Sequence, residues 1–296
     1  MKSYGEYLSG IFPGYKVQKI SVDAGFSCPN RDGTISLGGC IYCRNDSFTP
    51  HYCSHEDSVS VQLQKGKEFF SRKYPDMKYL AYFQSYTGTH GKTTDKLKDL
   101  YSQALETEGI VGLVIATRPD SISDSIIDLL AELNKVKPVF MEIGAETSHD
   151  STLSLINRNH SWKDVVNSVN HLASNGLHCG LHLIAGLPSE TEGMILETIK
   201  RTSTLPIETL KMHQLQILYG TQLYRQWVNG TINPTIYTVE EYLQLCLKII
   251  KILPENIVIE RFLSQSPPEL VAAPKWGLKN YQFMNLLKNK SMINSF

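Results

Sequence analysis

The sequence predicts an α/β chain folded as a partial, open (β/α)6 barrel of the TIM type. Three observations carry that expectation. Short apolar runs of strand length alternate with segments of helical period, the pattern of parallel βαβ units. Ile110–Thr117 (IVGLVIAT) is a continuous apolar run, as a parallel strand covered on both faces requires. About six βα units can be counted, fewer than the eight that close a full barrel.

The elements follow in order. Residues 17–23 (VQKISVD) alternate apolar and polar side chains, as a half-buried strand does. Residues 79–83, 110–117, 139–143, 178–184 and 210–218 continue the strand series. Between them, Leu97, Leu100, Tyr101, Ala104 and Leu105 recur at helical spacing, and Ile122, Ile126, Leu129, Leu130 and Leu133 do much the same. Ser161 with Asp164, Ser189 with Glu192 and Thr238 with Glu241 read as capping boxes opening three further helices. No repeat, charge block or low-complexity segment divides the chain. Residues 1–220 are expected to form the barrel core, with a cysteine loop at 24–50, and residues 221–296 an extension packed on it.

With 42% hydrophobic and 20% charged residues among 296, the chain can bury a sizeable core, which argues against disorder. Lys and Arg number 29 and Asp and Glu 29, a formal net charge of zero. No global attraction to nucleic acid or membrane follows, while a local basic face stays open. No apolar run approaches bilayer length, and the opening MKSYGE lacks the apolar stretch of a secretory signal. A cytoplasmic protein without a membrane partner is expected.

Six cysteines are then informative, because clustered cysteines in a reducing compartment point to metal or catalysis before disulfides. Cys28, Cys40, Cys43 and Cys53 lie near the N-terminus, while Cys179 and Cys246 are isolated and read as core thiols. Eleven residues separate Cys28 from Cys40 and two separate Cys40 from Cys43. The short spacing lets two thiolates grip one metal or cluster, and Gly33, Gly38 and Gly39 let the chain fold back so that Cys28 joins them. Spacing alone leaves two readings. One is a closed zinc site with Cys53, His51 or His55 as fourth ligand. The other is a [4Fe-4S] cluster held by three cysteines, with one iron open to substrate or cofactor.

Further motifs follow in chain order: Tyr86-Thr87-Gly88-Thr89, 112–120 (GLVIATRPD), Met141-Glu142-Ile143-Gly144, 156–160 (INRNH), Leu210-Lys211 and 219–224 (YGTQLY). With the cysteine loop, this set resembles the radical S-adenosylmethionine (radical SAM) enzymes. In particular it resembles the radical SAM domain of the Elongator catalytic subunit and the stand-alone bacterial YtqA/YhcC-type family, from about residue 15 to about 275. The long gap departs from the C-x3-C-x2-C common in the superfamily but fits the Elongator-like branch. The acetyltransferase domain that follows in Elongator has no counterpart in the sequence, so acetyl-CoA chemistry is not expected.

The resemblance implies that Cys28, Cys40 and Cys43 ligate a [4Fe-4S] cluster and that S-adenosylmethionine binds its open iron and is reductively cleaved. It implies that Thr87, Gly88 and Thr89 receive the methionine amino group, that Glu146 faces the ribose or amino group, and that Arg158 meets the carboxylate. Gly186, within 184–188 (IAGLP), falls where the family contacts the adenine. Tyr42 lies near the adenine or simply packs on the loop. His182 lines the cavity or is a satisfied core histidine. Cys53 is a spare. Residues 275–281 (KWGLKNY) suit RNA stacking or a packing role. The implied function is modification of the wobble uridine of tRNA, with flavodoxin or ferredoxin as electron donor. Radical chemistry on a small molecule and a non-catalytic zinc-stabilised module are the alternatives.

Overall fold

The computed structural model describes residues 2–71 and 76–293. Strands β1 (Val17–Val22), β2 (Lys78–Phe83), β3 (Ile110–Thr117), β4 (Val139–Glu146), β5 (His178–Ala185) and β6 (Thr209–Gln214) match the six apolar runs. They pair in parallel and in sequence order. A short pair, β7 (Ile217–Leu218) and β9 (Val271–Ala273), forms a separate antiparallel ribbon. β8 (Val258–Arg261) joins the main sheet beside β6 as a seventh parallel strand. The sequence reading did not count it: VIER is four residues long, and two of them are charged.

The sheet is curled into a half-barrel. Six interstrand steps of about 4.8 Å would hold β1 and β8 roughly 29 Å apart if the sheet were flat. Instead Lys19 of β1 lies 2.6 Å from Glu260 of β8. The edges therefore approach within one salt bridge without backbone pairing.

The outer face carries helices. These are α2 (Val59–Ser71), α3 (Thr94–Glu106), α4 (Asp124–Asn134), α6 (Trp162–Ser174), α7 (Glu192–Thr202) and α9 (Val239–Ile252), with α10 (Asn280–Ile293) packed on α9. Ile20, Phe83, Ile115, Met141, Leu181 and Met212 of the strands meet Leu63, Tyr101, Leu130, Val169, Ile199 and Tyr242 of the helices in one core. Two short helices, α5 (Asp150–Leu155) and α8 (Gln222–Val228), flank the cysteine loop. The N-terminal helix α1 (Tyr4–Ile11) closes the lower mouth: Leu8 and the following Phe12 pack with Leu80, Val114 and Phe140 inside the curl.

Local sequence explains the boundaries. The capping boxes of Ser161 with Asp164 and Thr238 with Glu241 form as expected. The Ser189 box does not. Ser189 takes a left-handed φ of 66°, and Thr191 caps α7 instead, accepting from Met194 N. The run 210–218 breaks at Leu215-Gln216, dividing β6 from β7. Cys179 and Cys246 are buried thiols. Trp276 donates to Tyr237 O at 3.1 Å and stacks on Phe283, so this part of the KWGLKNY segment packs on the core.

Gly112 in β3 has no room for a side chain: a Cβ there would lie 2.5 Å from Pro138 O. Gly112→Ala should cost roughly 1–3 kcal/mol in urea unfolding. A Cβ on Gly193 in α7 would make an ordinary van der Waals contact with Thr191 Oγ1 at 3.7 Å, and Gly193→Ala should be neutral or gain up to about 1 kcal/mol. Equal losses at both positions would contradict this packing.

Candidate active site in the lumen of the half-barrel

A cavity of about 650 Å³ opens at the C-terminal ends of the strands and runs down the lumen. Cys28, Cys40 and Cys43 all line it. The loop bearing them is tightly bonded to itself. Cys28 O accepts from the backbone N of Arg31 and Asp32, Pro29 O from Ile35 N and Ser36 N, and Asn30 O from Gly39 N. Gly39 has φ 81°, and a Cβ there would meet the Arg31 side chain at 2.8 Å. Asn30 is 0% exposed and donates to Asn157 O, Arg158 O and, at 3.6 Å, Cys40 Sγ. The Cys40–Cys43 turn is clamped from both sides, since Ile41 N donates to Ile156 O and Ile41 O accepts from Leu223 N.

Three soft donors on one cavity wall suit an iron–sulfur cluster. Burial pushes the Cys43 thiol up to about 12, and the neighbouring Cys40 and Cys28 add to that shift. Three thiolates crowd there at neutral pH only if a cationic centre compensates them. Arg158 Nη1 lies 3.7 Å from Cys40 Sγ and donates to it, the kind of contact that tunes a cluster sulfur. Of the three possible fourth zinc ligands, only His51 shares the cavity wall with the cysteines, and its ring packs edge-on against Tyr52 and Phe69. Cys53 donates to Ser21 O at 3.0 Å, off the cavity wall, and the His55 Cβ sits against Gly25. Among the described residues no three His, Cys, Asp or Glu side chains converge on one ion position. A cubane needs no such convergence, because each thiolate meets a different iron.

The other expected site residues divide into two groups. Tyr42, Thr87, Glu146, Arg158 and His182 line the cavity. Thr87 Oγ1 is buried with no hydrogen-bond partner, an unfilled polar position beside the cysteines. Arg158 Nη2 donates to Gly144 O at 2.7 Å and pairs with Glu146 Oε1 at 3.2 Å, and a Cβ on Gly144 would strike that guanidinium at 2.5 Å. Arg158 is thus already paired within the protein. Arg118 grips Asp120 with two bonds and donates to Arg158 O, leaving its buried Nη1 without a partner on the cavity wall.

Gly88, Thr89 and Gly186 lie off that wall. Gly88 N donates to Ala116 O and Gly88 O accepts from Tyr101 Oη. Thr89 Oγ1 bonds Thr117 Oγ1 and Ser121 O, tying the loop after β2 to the loop after β3. Gly186 has φ 96°, and its close approach is to Thr235 O, 2.5 Å from the position of a Cβ.

Below the cysteines the lumen holds an ionic layer that the sequence reading did not single out. Glu142 Oε1 accepts from Lys19 Nζ at 2.6 Å. Its Oε2 bonds Lys211 Nζ at 2.6 Å, Tyr82 Oη at 2.6 Å and His182 Nε2 at 2.9 Å. Glu260 completes the ring, 2.6 Å from Lys19 and 3.3 Å from Lys211. Burial opposes the charge on Glu142, but Lys19 and Lys211 hold its carboxyl well below the usual range. Burial drives the His182 imidazole down, aided by Lys211 and resisted by Glu142. Burial also pushes Lys211 down to about 8 against the attraction of Glu142 and Glu260. One pattern could have revealed part of the layer: on β4, β5 and β6 a polar residue stands between core positions, as in MEI, LHL and LKM.

Removing the Glu142 carboxylate leaves Lys19 and Lys211 facing one another across Glu260, so Glu142→Gln should cost about 3–5 kcal/mol by urea unfolding. For Lys211, the folded protein holds the proton less tightly than the unfolded chain, whose lysine titrates near 10.5. Its unfavourable contribution is fully present below pH 8 and is relieved as the pH rises from 8 to 10.5. Wild-type stability should therefore rise relative to Lys211→Met across that window; a falling difference would contradict the assignment.

Residues 30–202 match the family model of the Radical SAM superfamily, and residues 207–292 that of the Radical_SAM C-terminal domain. Protein YtqA of Bacillus subtilis, described as uncharacterized, is 34% identical over 281 residues, covering 95% of this chain and 86% of YtqA. The tRNA uridine(34) acetyltransferase of Methanocaldococcus infernus is 27% identical over 164 residues, 54% of this chain and 30% of that protein. The structure of Methanocaldococcus infernus Elp3 lacking residues 1–46 has the same fold, with a TM-score of 0.68 at 18% identity over 94% of this chain and 63% of that one. The superfamily match takes in Cys40, Cys43 and strands β2 to β5, and the chain belongs to the radical SAM enzymes.

Proposed function

We propose that this enzyme modifies the wobble uridine of tRNA, removing the carboxymethyl portion of carboxymethylaminomethyl-2-thiouridine to leave the aminomethyl form. The observation that carries the reading is the lumen, a cavity of about 650 Å³ reaching from three cysteines at its mouth to charged side chains at its floor. That depth accommodates a cofactor above and a polar base substituent below. Similarity to a protein named tRNA uridine(34) acetyltransferase supports a uridine as the substrate.

In this reading Cys28, Cys40 and Cys43 hold a [4Fe-4S] cluster, with S-adenosylmethionine beside it. Together these groups supply one-electron radical chemistry, and the protein supplies binding, orientation and exclusion of water. Thr87 Oγ1 takes the methionine amino group, together with Glu146. The free Nη1 of Arg118, braced by Asp120, takes the carboxylate. Arg158 keeps Glu146 and the cysteine loop in register. The Tyr42 ring walls the adenine side. His182 donates through Nε2 to the Glu142 carboxylate and, when neutral, offers Nδ1 to the substrate as an acceptor. A flavodoxin or ferredoxin delivers the electron.

Two measurements test this. Cys28→Ala, Cys40→Ala and Cys43→Ala should each abolish iron binding and S-adenosylmethionine cleavage after anaerobic reconstitution, whereas Cys53→Ala should retain both; loss in Cys53→Ala would overturn the three-ligand assignment. Nucleoside mass spectrometry of tRNA from a deletion strain should show carboxymethylaminomethyl-2-thiouridine accumulating at the expense of its aminomethyl products. Unchanged wobble uridines would refute the substrate.

A further inference from the structure

Arg261 is the last residue of β8, pairs in register with Lys211 and lines the cavity beside the ionic layer. Its Nε is buried without a hydrogen-bond partner. Among the described residues no carboxylate lies within ion-pair distance of its guanidinium. The other cations deep in the lumen are answered: Lys19 and Lys211 by Glu142 and Glu260, Arg158 by Glu146, and Arg118 by Asp120. In that layer, among the described residues, Lys19, Lys211 and Arg261 are met by two carboxylates, Glu142 and Glu260, so one positive charge is in excess. Arg261 is half-buried with its guanidinium on the cavity wall, and among the described residues nothing neutralises it.

We infer that Arg261 is a substrate-binding residue whose guanidinium receives an anionic group of the substrate, a carboxylate, and so sets the class of substrate that the lumen accepts. A guanidinium fork matches a carboxylate in shape and charge. The single excess charge suits a monoanion better than a phosphate monoester with its nearly two charges. His213, on the same cavity wall as Arg261 and bonded through Nδ1 to Ser264 Oγ at 2.9 Å, adds no competing negative charge. The inference builds on the proposed uridine substrate, whose carboxymethyl group ends in such a carboxylate, but the subsite does not need that substrate to exist.

The test is isothermal titration of the anaerobically reconstituted full chain with two pairs of probes. The nucleosides are 5-carboxymethylaminomethyl-2-thiouridine and 5-aminomethyl-2-thiouridine; the fragments are phenylacetate and phenylacetamide, with phenyl phosphate as the competing anion. Wild type should bind each carboxylate about tenfold or more tightly than its partner. Arg261→Gln should bring that ratio near one while leaving the aminomethyl nucleoside and S-adenosylmethionine affinities within about twofold. Arg261→Lys should recover part of the ratio. Carboxylate preference among the fragments without binding of either nucleoside would keep the subsite and refute the uridine substrate. Preference for phenyl phosphate, an equal loss for both members of a pair in Arg261→Gln, or no carboxylate preference in wild type would overturn the inference.

Discussion

Glu142 is 4% exposed in the middle of β4, and its two oxygens bond Lys19, Tyr82, His182 and Lys211. Those partners come from β1, β2, β5 and β6, so one carboxylate reads the positions of four other strands. Through Lys19 and Lys211 it also reaches Glu260 on β8. The curl of the sheet depends on this ring, because the two edge strands have no hydrogen-bonded ladder between them. A closed eight-stranded barrel fills its interior with stacked apolar side chains. A half-barrel with a working lumen cannot do so without losing the cavity. A buried ion network adds little net stability over a well-packed apolar one. What it gives here is a fixed radius and a polar floor under an open space, with α1 sealing the end below.

The upper part of the site is set on that frame through β4. Four residues beyond Glu142, Glu146 ends the strand and meets Arg158, and Arg158 reaches Cys40. The long interval between Cys28 and Cys40 is not slack chain. Its backbone bonds to itself, and buried Asn30 pins it to the 157–158 segment. The three thiols are therefore referenced to the sheet by side chains, and burial disfavours the ionised form of Cys43. That arrangement suits a cluster, whose sulfurs need hydrogen bonds and shielding from water.

The strand order, the helical layer and the three-cysteine loop were legible in the sequence because each leaves a local trace: apolar runs, helical periodicity and short Cys spacing. Motif position assigns Gly88, Thr89 and Gly186 to the cofactor, and within the chain itself they bond Ala116, Ser121 and Thr235. A glycine that admits a close approach does not say what approaches it. The ionic layer was less legible still. Lys19, Glu142, Lys211 and Glu260 are up to 241 residues apart, and each looks locally like one polar residue in a strand. Only the curl brings them together. β8 escaped notice because a short, charged edge strand has neither length nor apolar content.

The edge also explains how Arg261 comes to face the lumen. In a regular strand, adjacent side chains point to opposite faces, so Glu260 and Arg261 could not both line the cavity. Between β6 and β8 the register slips: Leu210 pairs with Ile259, but Lys211 pairs with Arg261, leaving Glu260 as the extra residue. Such a bulge re-aims side chains, and bulges collect beside active sites. Here it sets Glu260 and Arg261 together on the cavity wall. β4 does the same at the other level of the site. There the pairing with β5 passes from Gly144 to Glu146, and Glu146 takes a left-handed φ of 64°. Two local departures from regular pairing thus place one carboxylate beside the cysteines and one free guanidinium beside the ionic layer. The chain's net charge of zero conceals both, because a sum over 296 residues says nothing about one positive charge left unanswered inside.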